Sequence, residues 1–400
     1  MTALSLVSLF LLPFSKTASE TGWIISVLLW FFFKIKKEEI DFRPEAFGTA
    51  YLLFFGIVLL SMTQMAPGMS RVGWRGVWKW GKMLAIFWMC RDLFKESQSQ
   101  RQARAVFYAS MALVSLNGFW QMWNGLDLIH GYAVDIPGRL IRMRSSFGSP
   151  NDLAAFYLLA LPLVFQMWLG EKKWSLKSAF FAVLTAVFSI SLVLTFSRSA
   201  FLALCAAFFI FMIGSGQKKI VWAGTALLFI FLGFSGILRE NFVTSLNPRD
   251  ITVGERLQTW CQSWEIIKEK PLLGHGANTY YKEFAAHAPA NQEYRGYAHN
   301  FILQLWSDVG LVGVGLFLFG LVYGFVKKWP GKREGFEAAL WIGLLAFVLQ
   351  GLLDTNFFAF QTAHLFWFFW AVLLAPACRQ AGIAETSRFN FSANAGSSEP

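Results

Sequence analysis

Val309 to Val326 reads VGLVGVGLFLFGLVYGFV, a run without a single charged side chain. A membrane-crossing helix needs about 20 mostly apolar residues to pass roughly 30 Å of hydrocarbon. Together with the residues before it, this run extends over 299–326 and is long enough to cross. Further apolar runs centre on 3–14, 22–34, 46–62, 77–92, 105–121, 152–169, 176–196, 199–214, 219–238, 336–353 and 359–375. The expectation is an all-α integral membrane protein with about twelve transmembrane helices. The composition agrees. Hydrophobic residues make up 56% of the chain and charged residues 15%, with a mean hydropathy of +0.46. A soluble domain of this length is about a quarter charged. The 43 Phe and 18 Trp suit lipid contact and the bilayer interface.

The net charge of +11 would suggest nucleic acid in a soluble protein. In a membrane chain it reads as cytoplasmic loops together with anionic lipid or phosphate, and no nucleic-acid partner is expected. Cys90, Cys205 and Cys378 lie in or beside apolar runs, which leaves Cys261 alone in the largest polar segment and argues against a disulfide framework. Residues 1–14 lack a basic leader and a cleavage site, so they read as a first, short membrane helix.

Lysine and arginine placement sets the orientation. With a cytoplasmic N-terminus, the inside connections hold Lys34, Lys36, Lys37 and Arg43; Arg91, Lys95, Arg101 and Arg104; Lys172, Lys173 and Lys177; Lys218 and Lys219; and Lys327, Lys328, Lys332 and Arg333. The expected organisation is helices one to nine over 1–238, an extracytoplasmic loop over 239–298, helices ten to twelve over 299–375, and a disordered cytoplasmic tail over 376–400. Two outside segments, 121–151 and 239–298, are rich in arginine against the charge rule: Arg139, Arg142 and Arg144, then Arg239, Arg249, Arg256 and Arg295. Arg198 sits in the turn Ser197-Arg198-Ser199 on the same side. Such residues do not help topology, which leaves interfacial snorkelling or function.

Within the larger loop, Asn247-Pro248-Arg249-Asp250 is a turn, and Thr252 and Glu255 have capping-box spacing. Leu257, Trp260, Cys261, Trp264 and Ile267 then form the apolar stripe of a helix that stops at Pro271. The stripe predicts a helix lying flat on the outer interface or packed as a lid. Gly274 and Gly276 read as a flexible turn, with His275 a turn histidine rather than a metal ligand. Neither a phosphate loop, a metal cluster, an internal repeat nor an interrupted helix is legible.

His299, in Tyr297-Ala298-His299-Asn300 where the loop re-enters the membrane, could take a proton from a hydroxyl or simply cap the next helix with Asn300. Arg198, Arg256 and Arg144 stand at the outer ends of apolar runs, and guanidinium forks bind phosphate oxygens. Asp308 is off the His299 face, whereas Asp354 near an outer helix end could join the site.

Four blocks, in order, carry a resemblance. Ser146-Phe147-Gly148-Ser149-Pro150-Asn151-Asp152-Leu153-Ala154 is similar to the FGNPNDLA stretch of the O-antigen ligase and polymerase superfamily. Leu194 to Ala200 resembles its membrane-edge Ser-Arg turn. Glu255-Arg256 to Trp260, with Lys270-Pro271-Leu272-Leu273-Gly274-His275-Gly276, resembles its loop signature. Ala298-His299-Asn300 followed by Gln304 and Asp308 to Gly313 is the last match. Ser149 departs from the common Asn, and the outer loop is short for the family.

The resemblance implies a metal-independent, cofactor-free glycosyltransferase of the bacterial inner membrane, working on its periplasmic face. The donor would be a glycan on undecaprenyl diphosphate. The acceptor hydroxyl would belong to lipid A-core in a ligase, to another lipid-linked repeat unit in a polymerase, or to a protein side chain in a third branch. By the same resemblance Arg198 and Arg256 would hold the diphosphate, with Arg144 a further candidate, and His299 would act on the acceptor, supported by Asn151 and Asn300. A lipid-linked oligosaccharide transporter and a non-catalytic assembly partner are the rival readings.

Overall fold

The computed structural model of the chain describes residues 1–37, 45–136, 141–215, 251–287, 296–331 and 335–376, and of 251–253 the backbone alone. Among the described residues the elements are helical. The first half holds α1 (Thr2–Leu11), α2 (Lys16–Lys36), α3 (Ala46–Ser61), α4 (Ser70–Leu93) and α5 (Ser97–Asn124). There follow α6 (Pro150–Gly170), α7 (Leu176–Leu194), α8 (Arg198–Ser215), α9 (Ile251–Glu269) and α10 (Tyr280–His287). The last three are α11 (Phe301–Lys327), α12 (Phe336–Gly351) and α13 (Phe360–Leu374). Local chemistry sets their ends. Ser15, Ser149 and Ser175 each accept a bond from the N–H three residues on, and Pro150 occupies the first turn of α6. Asn300 caps α11 by accepting from the N–H groups of Ile302 and Leu303.

All but α1, α9 and α10 run between two ends of a bundle. At the basic end Arg91 donates to the Leu374 carbonyl at 3.0 Å, Lys328 to that of Ala375 at 2.9 Å, and Lys34 pairs with Asp92 at 3.1 Å. At the opposite, loop end, Lys79 donates to the Phe358 carbonyl at 2.6 Å and Lys270 to that of Gln64 at 2.5 Å. Between the ends α3 lies along α11, α12 packs on α6 and α8, and α13 on α4. Edge-to-face rings join these layers, with Tyr51 5.2 Å from Trp367 and Phe54 5.0 Å from Trp80. The described chain stops at the basic end with Ser215 and resumes at the loop end with α9.

Six of the described helices are long and apolar enough to cross a membrane: Lys16–Lys36, Ala46–Gln64 (α3 with a short 3-10 turn), Pro150–Gly170, Leu176–Leu194, Arg198–Ser215 and Phe301–Lys327. The helices α1, α12 and α13 are apolar but shorter, while α4 carries too much charge, including Lys79, Lys82 and Arg91. The expected ninth run, 219–238, lies outside the described residues. So do Arg43, Arg139, Lys218, Lys219, Arg239, the 247–250 turn, Arg295, Lys332, Arg333, Cys378 and the tail.

One feature went unread in the sequence: α11 is interrupted. Gly310 sits at φ 72° and ψ 178°, which frees backbone groups on either side. The segment after α9 fills the break. His275 and Gly276 donate their N–H groups to the carbonyls of Ser307 and Asp308 at 2.8 and 3.0 Å. Leu311 and Val312 donate to those of Pro271 and Leu272 at 2.8 and 3.4 Å. Buried Asp308 accepts from the Tyr280 N–H at 2.9 Å. The glycine turn is therefore not loose. A Cβ at Gly274 would stand 2.6 Å from the Asp308 backbone, and one at Gly276 2.2 Å from the Met65 side chain.

Two local expectations also change. Helix α9 is already formed at Ile251, so Thr252 lies inside it and is not its cap. The tryptophan stripe does not face inward as a whole: Leu257, Cys261 and Trp264 are exposed, while Thr259, Ser263, Ile266 and Ile267 are buried. The bonding face of the helix is thus partly polar, with the Ser263 hydroxyl 2.8 Å from that of Tyr280.

Gly310→Ala would bring a Cβ to 2.1 Å from the Leu272 carbonyl oxygen, at a positive φ besides. Gly315 in the same helix has open space around it. Gly310→Ala is expected to destabilise by about 2 kcal/mol or more, and Gly315→Ala to be neutral or mildly stabilising. Thermal melts of the two purified variants in detergent check this.

Candidate active site

Asn300 starts α11, so the residue before it is held at the helix mouth. That residue, His299, is in the left-handed region at φ 49°. Its neighbour Ala298 is pinned twice, donating to Gln304 Oε1 at 3.2 Å and accepting from Trp260 Nε1 at 3.0 Å. The imidazole Nδ1 is buried and faces Asp354 Oδ1 at 3.5 Å, an ion-pair distance just longer than a good hydrogen bond. The side chain is 28% exposed, and that exposure belongs to atoms other than Nδ1.

Asp354 lies in the turn between α12 and α13, where Thr355 donates its N–H to Oδ1 at 2.9 Å. Burial acts to raise its pKa, but His299 and the charge of Arg256 outweigh this and hold the carboxyl below its ordinary value. A depressed pKa stabilises the fold fully above the unfolded value of about 4, and that gain is lost only as pH falls through the lower folded value. Asp354 therefore stays ionised at neutral and mildly acidic pH. An ionised partner favours the tautomer with the proton on Nδ1, which leaves Nε2 as the base.

Three arginines share this region. Arg142 donates from Nε to the Thr195 carbonyl at 2.9 Å, from one terminal nitrogen to Asn151 Oδ1 at 3.0 Å, and pairs with Asp135 at 3.4 Å. Burial works against its charge, Asp135 supports it, and Arg256 and Arg198 oppose it, so each of those two arginines acts on Arg142. Asp354 is in the same field. Arg198 opens α8 after Phe196, whose φ is 47°, and the Met143 N–H donates to the Leu194 carbonyl at 2.9 Å to brace that turn. Asp152, in the first turn of α6, lies within reach of Asp354 and His299. The cluster can bind an anion on its arginine side and hold a proton acceptor on the other.

Asp354 thus links His299 and Arg256, while Arg142 lies in the field of both Arg256 and Arg198. Asn151 joins them through Arg142, and its carbonyl accepts from Gln350 at 3.1 Å. Asn300 acts as the helix cap. Arg144 points elsewhere: it donates to the carbonyls of Ala133 and Gly148 and lies over the Tyr132 ring, 4.9 Å from its centroid. Its neighbour Arg142 takes the position by the other arginines. Nothing in the Arg-x-Arg spacing separates the two, whereas Asp354 was marked by its place at a helix end.

Residues 180–318, about a third of the chain, match the O-antigen ligase family. This match supports assigning the chain to the O-antigen ligase superfamily. Members are glycosyltransferase-like ligases or polymerases, so the assignment supports an enzyme, and with the apolar helices it suggests a multi-pass bacterial membrane protein. The matched span contains Arg198, Arg256 and His299, while Arg142, Asn151 and Asp354 lie outside it. No curated protein sequence matches significantly.

Arg142 and Asn151 are expected to be coupled. In thermal or denaturant melts, Arg142→Ala and Asn151→Ala should each destabilise. Their double variant should fall short of additivity by about 1–3 kcal/mol, the range of a hydrogen bond to a charged group. Additive losses would show that the bond does not tie the loop to α6.

Proposed function

We propose that this O-antigen ligase-like chain transfers a glycan from undecaprenyl diphosphate to an acceptor hydroxyl, with lipid A-core the preferred acceptor and a second lipid-linked repeat unit the alternative. The observation that carries the reading is the His299–Asp354 pair, 3.5 Å apart, inside the field of Arg256 and Arg142. A base beside an anion site would suit displacement of a diphosphate.

In the proposed step His299 Nε2 takes the acceptor proton as the acceptor oxygen forms its bond to the anomeric carbon. The bond from that carbon to the diphosphate oxygen breaks, and the electron pair leaves with the diphosphate. Arg198 and Arg256 stabilise that charge as it develops. Fixed cations where water is scarce do this better than solvent does. Asp354 orients the imidazole and balances the imidazolium that forms. Arg142 has its guanidinium engaged with protein, so it positions the Arg198 turn. Arg144 is retained only as a loop clamp. No metal or cofactor takes part in this scheme.

The basic end faces the cytoplasm in this reading, by the positive-inside rule, and the site faces the periplasm of the inner membrane. Among the described residues α4 and α5 are the remaining candidate crossings, with α9 lying on the outer interface. An interrupted helix is a feature of many transporters, where the freed backbone lines a substrate cavity. At Gly310 the freed groups bond to residues 271–276 instead, which favours transfer over transport.

His299→Ala, expressed at the wild-type level in a strain lacking the native gene, is expected to lower transfer about a hundredfold or more. Surface polysaccharide and the undecaprenyl-linked pool are read together. Long lipid-linked chains accumulating outside identify a ligase, and single repeat units a polymerase. Wild-type behaviour removes His299 from the chemistry and brings transport or assembly forward.

A further inference from the structure

The connection from α5 to α6 has a side that the site does not use. Leu126 bridges Ala133 and Asp135 bridges Arg142, and Asp127 Oδ1 accepts from the N–H groups of Ile129 and His130 at 2.8 and 3.0 Å. A compact hairpin results, with Asp127 buried within it. Its outer side is aliphatic: Leu126, Leu128, Ile129, Ile136 and Ile141 are all exposed, Leu128 by 64%. So many large apolar groups on one short hairpin suit lipid or protein rather than water.

The preceding helix indicates which. Leu113, Leu116, Trp120 and Trp123 are exposed at helical spacing along one face of α5, Trp123 by 89%, while other faces pack on α1, α6 and α7. In a membrane-spanning bundle that outward stripe meets lipid. Its apolar part, Val106 to Trp123, spans roughly 27 Å at 1.5 Å per residue, close to the hydrocarbon thickness. Tryptophans at such an end sit at headgroup depth. Past Gly125 the stripe runs on into Leu126, Leu128 and Ile129, broken only by the inward Asp127.

We infer that this hairpin lies in the headgroup boundary of the loop-end leaflet, with its aliphatic side chains inserted among the lipids. It forms the lipid-side wall of the site, because its other edge carries Asp135 and Arg142 and through them grips the Thr195 carbonyl beside Arg198. Arg142 and the Ser-Arg turn are thereby held at the depth where the headgroup phosphates of a bilayer lie. This placement rests on the membrane frame and not on the transfer chemistry.

The test uses the full chain with its four native cysteines replaced by serine, in vesicles of phosphatidylethanolamine and phosphatidylglycerol. A nitroxide is attached through Leu128→Cys, with Leu116→Cys as the lipid reference and Lys172→Cys as the water reference. Collisions with oxygen and with a water-soluble nickel chelate are compared. The expected result is an oxygen-to-chelate ratio at 128 below that at 116, as for a shallower site, and several-fold above that at 172. Chelate collisions dominating at 128 would put the hairpin in water and overturn the inference. Exclusion of both reagents would also overturn it, by showing a protein cover such as a second copy. Ile129→Cys repeats the reading, so local misfolding of one variant does not decide it. Since no activity is read, the outcome is separable from that of His299→Ala.

Discussion

Where water is absent, every backbone N–H and C=O must find a partner inside the protein. The break in α11 at Gly310 sets that demand in the middle of the longest apolar helix, and residues 271–276 meet it. Four backbone hydrogen bonds join the two segments. Because Pro271 to Gly276 follow directly on α9, the same bonds fix the helix that carries Arg256. Because the break lies within three turns of Asn300, they also fix the helix mouth that carries His299. Glycine is required on both sides of this joint. Gly274 at φ 70° and Gly310 at φ 72° each approach the other strand's backbone more closely than a Cβ allows.

The second constraint is electrostatic. Guanidinium groups near one another repel, and burial makes Arg142 harder to keep charged. The cluster persists because its acids are distributed among them. Asp135 is paired with Arg142, and buried Asp354 lies in the field of both Arg142 and Arg256 while facing His299. Asp354 thus serves two groups at once: it offsets the arginines and orients the imidazole.

Much of this frame was legible before any coordinates. Apolar runs located the helices because lipid demands length and hydrophobicity, and the basic connections separated the two ends because charge placement follows topology. His299, Arg198 and Arg256 stood out as polar groups kept where the fold did not need them. The choice of Arg144 over Arg142 shows where sequence stops. Both sit on one extended segment two residues apart, and only the tertiary contacts with Thr195 and Asn151 decide between them. The interrupted helix was equally hidden, since α11 has several glycines and its apolar run reads as continuous. What singles out Gly310 is a partner segment 34–39 residues earlier, and local pattern carries no record of that pairing.

The arrangement also explains why a hydrophilic site can sit at the end of so apolar a bundle. Arg142 is fixed by Thr195, Asn151 and Asp135, which belong to the α7–α8 turn, the start of α6 and the hairpin. Three separate connections therefore converge on one side chain. A lysine there would keep the charge but could not reach all three, because its single ammonium lacks the planar fork. The guanidinium joins connections that belong to separate helices. Charge that would otherwise be a burden at the membrane edge becomes the means of ordering the Ser-Arg turn.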